Sequence, residues 1–238
     1  MDPGKAENYE KVWGKTRYKS LNWLNLALQC ANSVARIGSN KYDGDGTGFL
    51  FNGAWISDDW KGKHLLLTNA HVCSNDDDVQ AQYPYPSPPE ALTAAFLGAG
   101  GAREALELKF KELVWTSPPS ELDATLLLLE DVPAGFHPPK ELSQRKPPVT
   151  LKGDSRLNIL GHPKGLDLRI SLQDNITVDV GERYVHYQTP TDPGSSGSPV
   201  FNQNWQLVAL HHASSSQKQA NEGIRIDVII DAIKAKVL

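Results

Sequence analysis

Cysteine is scarce: the chain of 238 residues has two, Cys30 and Cys73. A secreted domain built from short strands usually carries several disulfides, so this count predicts a reducing, cytoplasmic setting. Composition alone leaves open whether the pair bridges. A basic cluster is also missing. Lys and Arg number 24 against 28 Asp and Glu, scattered, for a net charge of −4. Nucleic-acid binding needs a clustered basic face, and anionic lipid needs a basic run, so neither partner is expected. No stretch nears the roughly 20 apolar residues of a membrane span. The nearest, Thr125 to Leu129, has the length of a strand. The opening MDPGKAENYEKVWGKTRYKS is polar and mixed in charge, unlike a secretory leader.

Metal and cofactor motifs fail on inspection. Asp43-Gly44-Asp45-Gly46-Thr47-Gly48 imitates the start of a calcium loop, but position twelve, which needs a bidentate acid, is Ala54. His71 and Cys73 lack a second metal-spaced pair. Neither a metal nor a cofactor is expected. Asp76, Asp77 and Asp78 read as a solvated loop. His64, His137, His162 and His186 have no partner pattern and read as surface or structural residues.

Glycine and proline, by contrast, total 35, which suits many short strands and turns. Residues 1 to about 17 read as flexible. Ser20 caps an expected helix ending near Asn32, with Leu21, Leu24 and Leu28 on the face that lies against the fold. Six strand-like runs follow: 33–37, 46–52, 64–69, 91–96, 105–115 and 125–129. The Pro-rich stretch from Tyr83 to Glu90 reads as a structureless loop. A linker rich in Pro and Lys runs from Pro133 to Lys152. A second series covers 157–160, 168–172, 176–180, 184–188, 199–201, 207–212 and 223–226. A final helix, capped by Asp227, carries Ile229, Ile230, Ile233 and Val237 as an apolar stripe. The expected fold is all-β: two tandem six-stranded antiparallel barrels with an N-terminal and a C-terminal helix. Its divisions are 1–32, 33–132, 133–152 and 153–238.

Three segments carry chemistry. In Pro193-Gly194-Ser195-Ser196-Gly197-Ser198-Pro199-Val200, a tight turn between strands can expose a serine hydroxyl. Gly194 permits a backbone conformation that lets its N–H and that of Ser196 converge on an oxyanion. The apolar run Leu65-Leu66-Leu67 leads through Thr68-Asn69-Ala70 to His71, seating an imidazole at a strand end, as a general base requires. Asp123 enters a nearly continuous apolar run, Ala124 to Leu129. A buried carboxylate needs a partner, and a histidine Nδ1–H is a suitable one.

Base, acid and nucleophile thus occur in the order His, Asp, Ser. The segments TNAHV, LDATLLLL and GSSGSPVF resemble the signature regions of trypsin-like peptidases. Gly46-Thr47-Gly48-Phe49 and Leu160-Gly161-His162-Pro163-Lys164-Gly165 resemble two further motifs of bacterial members. The likeness extends over about residues 33 to 236. It is strongest to effector-associated trypsin-like domains of bacterial defence and signalling systems, through GSSGSPVF and the later VALHHA. The resemblance implies Ser196 as nucleophile, His71 as base, Asp123 as orienter, and Gly194 and Ser196 as oxyanion donors. It implies a protein or peptide substrate and a fused or associated sensor domain. Ser195 stands where trypsin has an aspartate that pairs with a freed N-terminus, so that bridge has no counterpart.

In glutamyl endopeptidases a threonine five before the nucleophile and a histidine fifteen after it contact the acidic side chain of the substrate. Thr191 and His211 stand at those offsets. Viral 3C-like peptidases use a similar histidine for glutamine. Pro190 occupies the position where an acid would select Arg or Lys. These features imply Glu or Gln before the cleaved bond. Strand alternation would turn His212 the other way, toward Asp123. The alternative is a catalytically silent binding or scaffold module of the same fold.

Overall fold

The computed structural model describes residues 18–83, 86–97, 105–134, 136, 149–152 and 155–238. The expected flexible start, 1–17, and most of the expected linker lie outside these residues.

Alternation along the chain builds the first barrel. In Leu106-Glu107-Leu108-Lys109-Phe110-Lys111 the apolar side chains point inward and the charged ones outward. The run Ala124–Leu129 is buried on both faces and is flanked by neighbours on both edges. Six strands, β1 (Val34–Gly38), β2 (Gly46–Asn52), β3 (His64–Thr68), β4 (Thr93–Phe96), β5 (Leu106–Ser117) and β6 (Ala124–Leu129), close in the order β1-β2-β3-β6-β5-β4. Ile37, Leu50, Leu66, Leu108 and Leu127 are among the residues filling the interior.

Among the described residues the second unit has seven strands, against the six expected. They are β7 (Asn158–Gly161), β8 (Arg169–Ser171), β9 (Thr177–Val180), β10 (Tyr184–Tyr187), β11 (Pro199–Phe201), β12 (Leu207–Ser215) and β13 (Ala220–Arg225). Their order is β8-β7-β11-β12-β13-β10-β9, with the short strands β8 and β9 at the two edges. The register between β12 and β13 shifts between His211 and Ala213. Such a bulge bends the strand and redirects its side chains.

Two long helices lie on one shared core. Helix α1 (Leu21–Ala31) is capped as expected, with the Trp23 N–H donating to Ser20 Oγ at 3.1 Å. Its buried face is not the leucine stripe: Leu21 is 81% exposed, and Leu24 and Leu28 are 47% exposed. Trp23, Ala27, Cys30 and Ala31 face inward instead. The Trp23 ring meets Trp205 with centroids 5.0 Å apart, and its Nε1–H donates to Gln203 O at 2.8 Å. Burying an indole with its polar end satisfied, beside small residues that allow close approach, outweighs burying three leucines. The last helix, α3 (Ile226–Val237), buries Ile226, Ile229, Ile230 and Ile233 in the same cluster. Asp227 does not cap it. It lies within the first turn and takes a two-pronged bond from Arg225, at 3.0 and 2.6 Å.

Two loop readings are corrected. Asp76 caps a short helix α2 (Asp77–Gln82), its Oδ1 accepting from the N–H groups of Asp78 and Val79. Burial of Val79 anchors that turn although Asp77 and Asp78 remain solvated. The Pro-rich segment is ordered where described. Ser87 bridges to Cys73, and Pro89–Ala91 forms a 3₁₀ turn. Cys30 and Cys73 are buried and unbridged, and burial pushes the Cys73 thiol up to about 12.

Candidate active site

His71 follows β3 in a turn in which the N–H groups of Val72 and Cys73 donate to Asn69 O at 3.2 Å. Asn69 is wholly buried, and its amide donates to Asp123 O at 2.7 Å. Asp123 precedes β6 with φ +40°, a left-handed backbone that a side-chain-bearing residue holds only when its surroundings fix it. The Asn69 bond and the Asp123 N–H bond to Pro118 O at 3.0 Å provide that constraint. The carboxylate is turned toward His71. Its Oδ1 accepts the His71 backbone N–H at 3.1 Å, and its Oδ2 accepts from Nδ1 at 2.7 Å. Burial raises the Asp123 carboxyl, but hydrogen bonds from His212 and His71 prevail and hold it below its usual range. The pairing leaves His71 Nε2 as the ring nitrogen not turned to the carboxylate.

Ser196 sits in the turn before β11. Gly194 has φ +91° and Gly197 φ +86°, both in the region that favours glycine. A Cβ on Gly197 would lie 1.8 Å from Thr47 O, so only glycine lets the two barrels approach here. Thr47 joins the barrels. Its N–H donates to Ser196 O at 2.8 Å, and its hydroxyl donates to Gly194 O at 2.9 Å. The same hydroxyl accepts the His162 N–H at 3.0 Å, while Thr68 Oγ1 donates to Thr47 O at 2.7 Å. The carbonyls of Gly194 and Ser196 are thereby occupied. Their N–H groups make no hydrogen bond among the described residues. Two backbone donors on either side of Ser195 thus have no partner among the described residues, which leaves them available to an oxyanion. The Ser196 hydroxyl likewise makes no hydrogen bond among the described residues, with His71 or otherwise. Such contacts are often long before substrate binds.

The two pocket candidates have different surroundings. Thr191 lines a cavity of about 230 Å³ with Pro190, Asp192, Ser195, Ser171 and Arg169. His211 is buried on β12, its Nδ1 2.8 Å from the Tyr187 hydroxyl. No described hydrogen bond or cavity unites Thr191 with His211. A second cavity, of about 410 Å³, is lined by Gln188, Ser214, Ser215, Ser216, Gln219, Ala220 and Asn221, none of them charged. His162 is structural: fully buried, with Nδ1 2.8 Å from Leu166 O, and pushed down by burial to about 4. Among the described residues no cluster of His, Cys, Asp and Glu could hold a metal ion, and no helix is long and apolar enough to cross a membrane.

Sequence reasoning missed Thr47 as the clamp on the nucleophile turn, although Gly46-Thr47-Gly48-Phe49 was a visible motif. It anticipated the reach of His212 toward Asp123, but not the second carboxylate on that ring, Glu222.

A pair of β-units joined beside a buried His–Asp couple and a serine turn with free amides has the architecture of a two-barrel serine peptidase. The family model for the trypsin-like peptidase domain matches residues 46–210, and the chain belongs to that family. An uncharacterized protein, y4fB, of Sinorhizobium fredii is 28% identical over 254 residues, covering 95% of this chain but 34% of its own length. The chain therefore spans about a third of that relative. Exfoliative toxin A of Staphylococcus aureus is 25% identical, covering 92% of this chain and 79% of the toxin. The serine endoprotease of Yersinia pestis shares the fold at TM-score 0.59 and 14% identity, covering 93% of this chain and 69% of that one. The HtrA-type protease AlgW does so at TM-score 0.56 and 16% identity, covering 90% and 63%.

Proposed function

We propose that the protein is a serine endopeptidase working through an acyl-enzyme, with Ser196 as nucleophile, His71 as general base and Asp123 as orienter. The observation that carries this reading is the bond of 2.7 Å from His71 Nδ1 to the buried Asp123 carboxylate, together with a serine turn whose Gly194 and Ser196 amides have no partner among the described residues. With Nδ1 donating to Asp123, Nε2 is the nitrogen able to take the Ser196 proton. The oxygen then attacks the peptide carbonyl, and the two amides receive the negative charge that develops. The proton passes from Nε2 to the leaving amine. Water, activated by the same nitrogen, later releases the acyl group and restores the hydroxyl.

For specificity, Glu or Gln before the cleaved bond is the preferred reading, with Thr191 and His211 as contacts. It is supported by Pro190, which stands where an acid would select Arg or Lys. A cytoplasmic site of action agrees with two unbridged thiols. A fused or associated sensor domain, as in defence or signalling effectors, agrees with the greater length of the first relative. The unformed contact between Ser196 and His71 favours the other reading, a silent scaffold. A fluorophosphonate probe separates the two. Labelling of the wild type that vanishes in Ser196→Ala, with cuts after Glu or Gln in a peptide library, supports the peptidase. A folded chain that takes no label and makes no cuts is a scaffold. A library peak at Arg, Lys or aromatic residues rejects the pocket reading alone.

A further inference from the structure

Carboxylate Oδ2 of Asp123 is shared. Besides His71 Nδ1 at 2.7 Å it faces His212 Nδ1 at 3.2 Å. The other nitrogen of that ring, Nε2, lies 2.8 Å from Glu222 Oε1. Glu222 Oε2 in turn lies 2.6 Å from His186 Nε2. Ionised carboxylate oxygens only accept hydrogen bonds, and a neutral imidazole has one N–H. Satisfying both contacts of His212 therefore requires both nitrogens to be protonated.

We propose that His212 is a positioning residue for the reaction: a cation bridging Asp123 and Glu222, it fixes the carboxylate that orients His71 and extends activity to lower pH. The proposal rests on the peptidase reading given above. Two physical effects follow from the geometry. The Asp123 carboxylate is gripped from two sides, by the backbone and ring of His71 and by the ring of His212. Its negative field is also divided, since a positive charge stands on its far side. A carboxylate facing a single histidine gives its full field to the protonated form of that histidine. One shared with a second cation gives less, so the base stays unprotonated further into acid.

The groups around His212 agree with a charged ring. Asp123 of the first barrel and Glu222 of β13 bond it, Tyr184 of β10 stacks on it, and His71 and His186 share its two carboxylates. The stacked rings have centroids 5.8 Å apart and planes 11° from parallel, and the Arg183 guanidinium lies 5.9 Å from that tyrosine ring. Behind His186 stand Asp179 of β9 at 4.0 Å and, paired to Asp179 at 2.7 Å, Lys218. Burial opposes a charge on His212, but the bonds to Asp123 and Glu222 outweigh it and raise the ring to about 9. His211, its neighbour in sequence, is driven down by burial and by the charge of His212.

The test uses His212→Asn, which keeps a side chain able to donate to Asp123 but removes the charge. The acidic limb of kcat/KM is expected to move up by about one pH unit, leaving the alkaline limb in place. Nitrogen NMR of histidine-labelled wild type is expected to show both nitrogens of His212 protonated at pH 8. The same spectra follow the titration of His71 in both proteins, so the shift is read even in a chain that cleaves nothing. Loss of cleavage in the wild type therefore overturns the peptidase reading and leaves this measurement intact. A neutral His212 at pH 7.5 overturns the inference. So does an unmoved limb, or an unmoved His71 titration, in a folded His212→Asn. Should that variant fail to fold, the protonation state in the wild type decides.

Discussion

His211 and His212 are adjacent on one strand and have opposite fates. His211 is enclosed, bonded to a neutral phenol, and driven down to about 3 by burial and by the charge of its neighbour. His212 is almost as enclosed, yet two carboxylates outweigh the burial and lift it to about 9. The same side chain at nearly the same depth is thus a neutral hydrogen-bonding group on one side of β12 and a cation on the other. Burial alone does not set the charge of an imidazole. The partners at its two nitrogens do.

The strongest way to break the contrast is to remove the carboxylate that both His71 and His212 use. In Asp123→Asn, the amide nitrogen cannot accept from His71 Nδ1. The ring can then settle in the tautomer that carries its proton on Nε2, where it cannot receive one from Ser196. A fall in kcat of about 10⁴-fold is expected, the size of the matching Asp→Asn change in a Ser-His-Asp triad. Steady-state kinetics at pH 7.5 read it. A fall of less than about tenfold would remove Asp123 from the catalytic machinery proposed here.

Part of this arrangement was legible in the chain. His71 ends a strongly apolar strand, and Asp123 opens a run that buries every neighbour, so each advertised an unusual polar residue at a strand end. The serine turn advertised itself through glycine. What lay beyond reach depended on contacts between barrels or on register. Thr47 acts through one hydroxyl and one amide, and nothing in Gly46-Thr47-Gly48 says which strand it will meet. Glu222 reaches His212 across two strands whose register slips at His211/Ala213, and alternation alone does not describe a slipped register. Helix α1 was read on its leucine stripe, whereas the face that packs is the one carrying Trp23, which meets Trp205, over 170 residues away. The bidentate Arg225–Asp227 pair likewise took the place of a helix cap that sequence position alone suggested.

The pH dependence of stability sharpens the comparison, because the two histidines act in opposite directions. His212 holds its proton more tightly in the folded chain than in the unfolded one, where 6.5 applies. Its stabilisation is complete below that pH and is lost as pH rises through about 9. His211 holds its proton less tightly when folded. Its contribution is complete above 6.5 and is lost as pH falls toward about 3. Unfolding free energies of the wild type, His212→Asn and His211→Gln, measured from pH 4 to 9, should therefore diverge at opposite ends. The gap between wild type and His212→Asn should narrow toward pH 9, and that for His211→Gln toward pH 4. Each change should amount to roughly 1–3 kcal/mol. Gaps that narrow at the same end would refute the assignment of opposite charge states.

A smaller effect tests the neutral side of the pair. Tyr187 is fully buried, and burial keeps its phenol protonated far beyond neutral pH, so its hydroxyl is a permanent partner for His211 Nδ1 at 2.8 Å. Tyr187→Phe removes little volume but strands a buried nitrogen, which should cost about 1–2 kcal/mol in a denaturant titration. Adding His211→Leu should recover part of that loss, because an apolar pair leaves no orphaned polar atom. The acidic limb of the pH–rate profile should not move in Tyr187→Phe, since nothing has changed on the carboxylate side of β12. The preference for Glu or Gln should flatten if His211 is the contact proposed for it. A Tyr187→Phe chain as stable as the wild type would mean that His211 finds another partner. A limb that moves as far as in His212→Asn would mean that the two sides of the strand are not electrostatically separate.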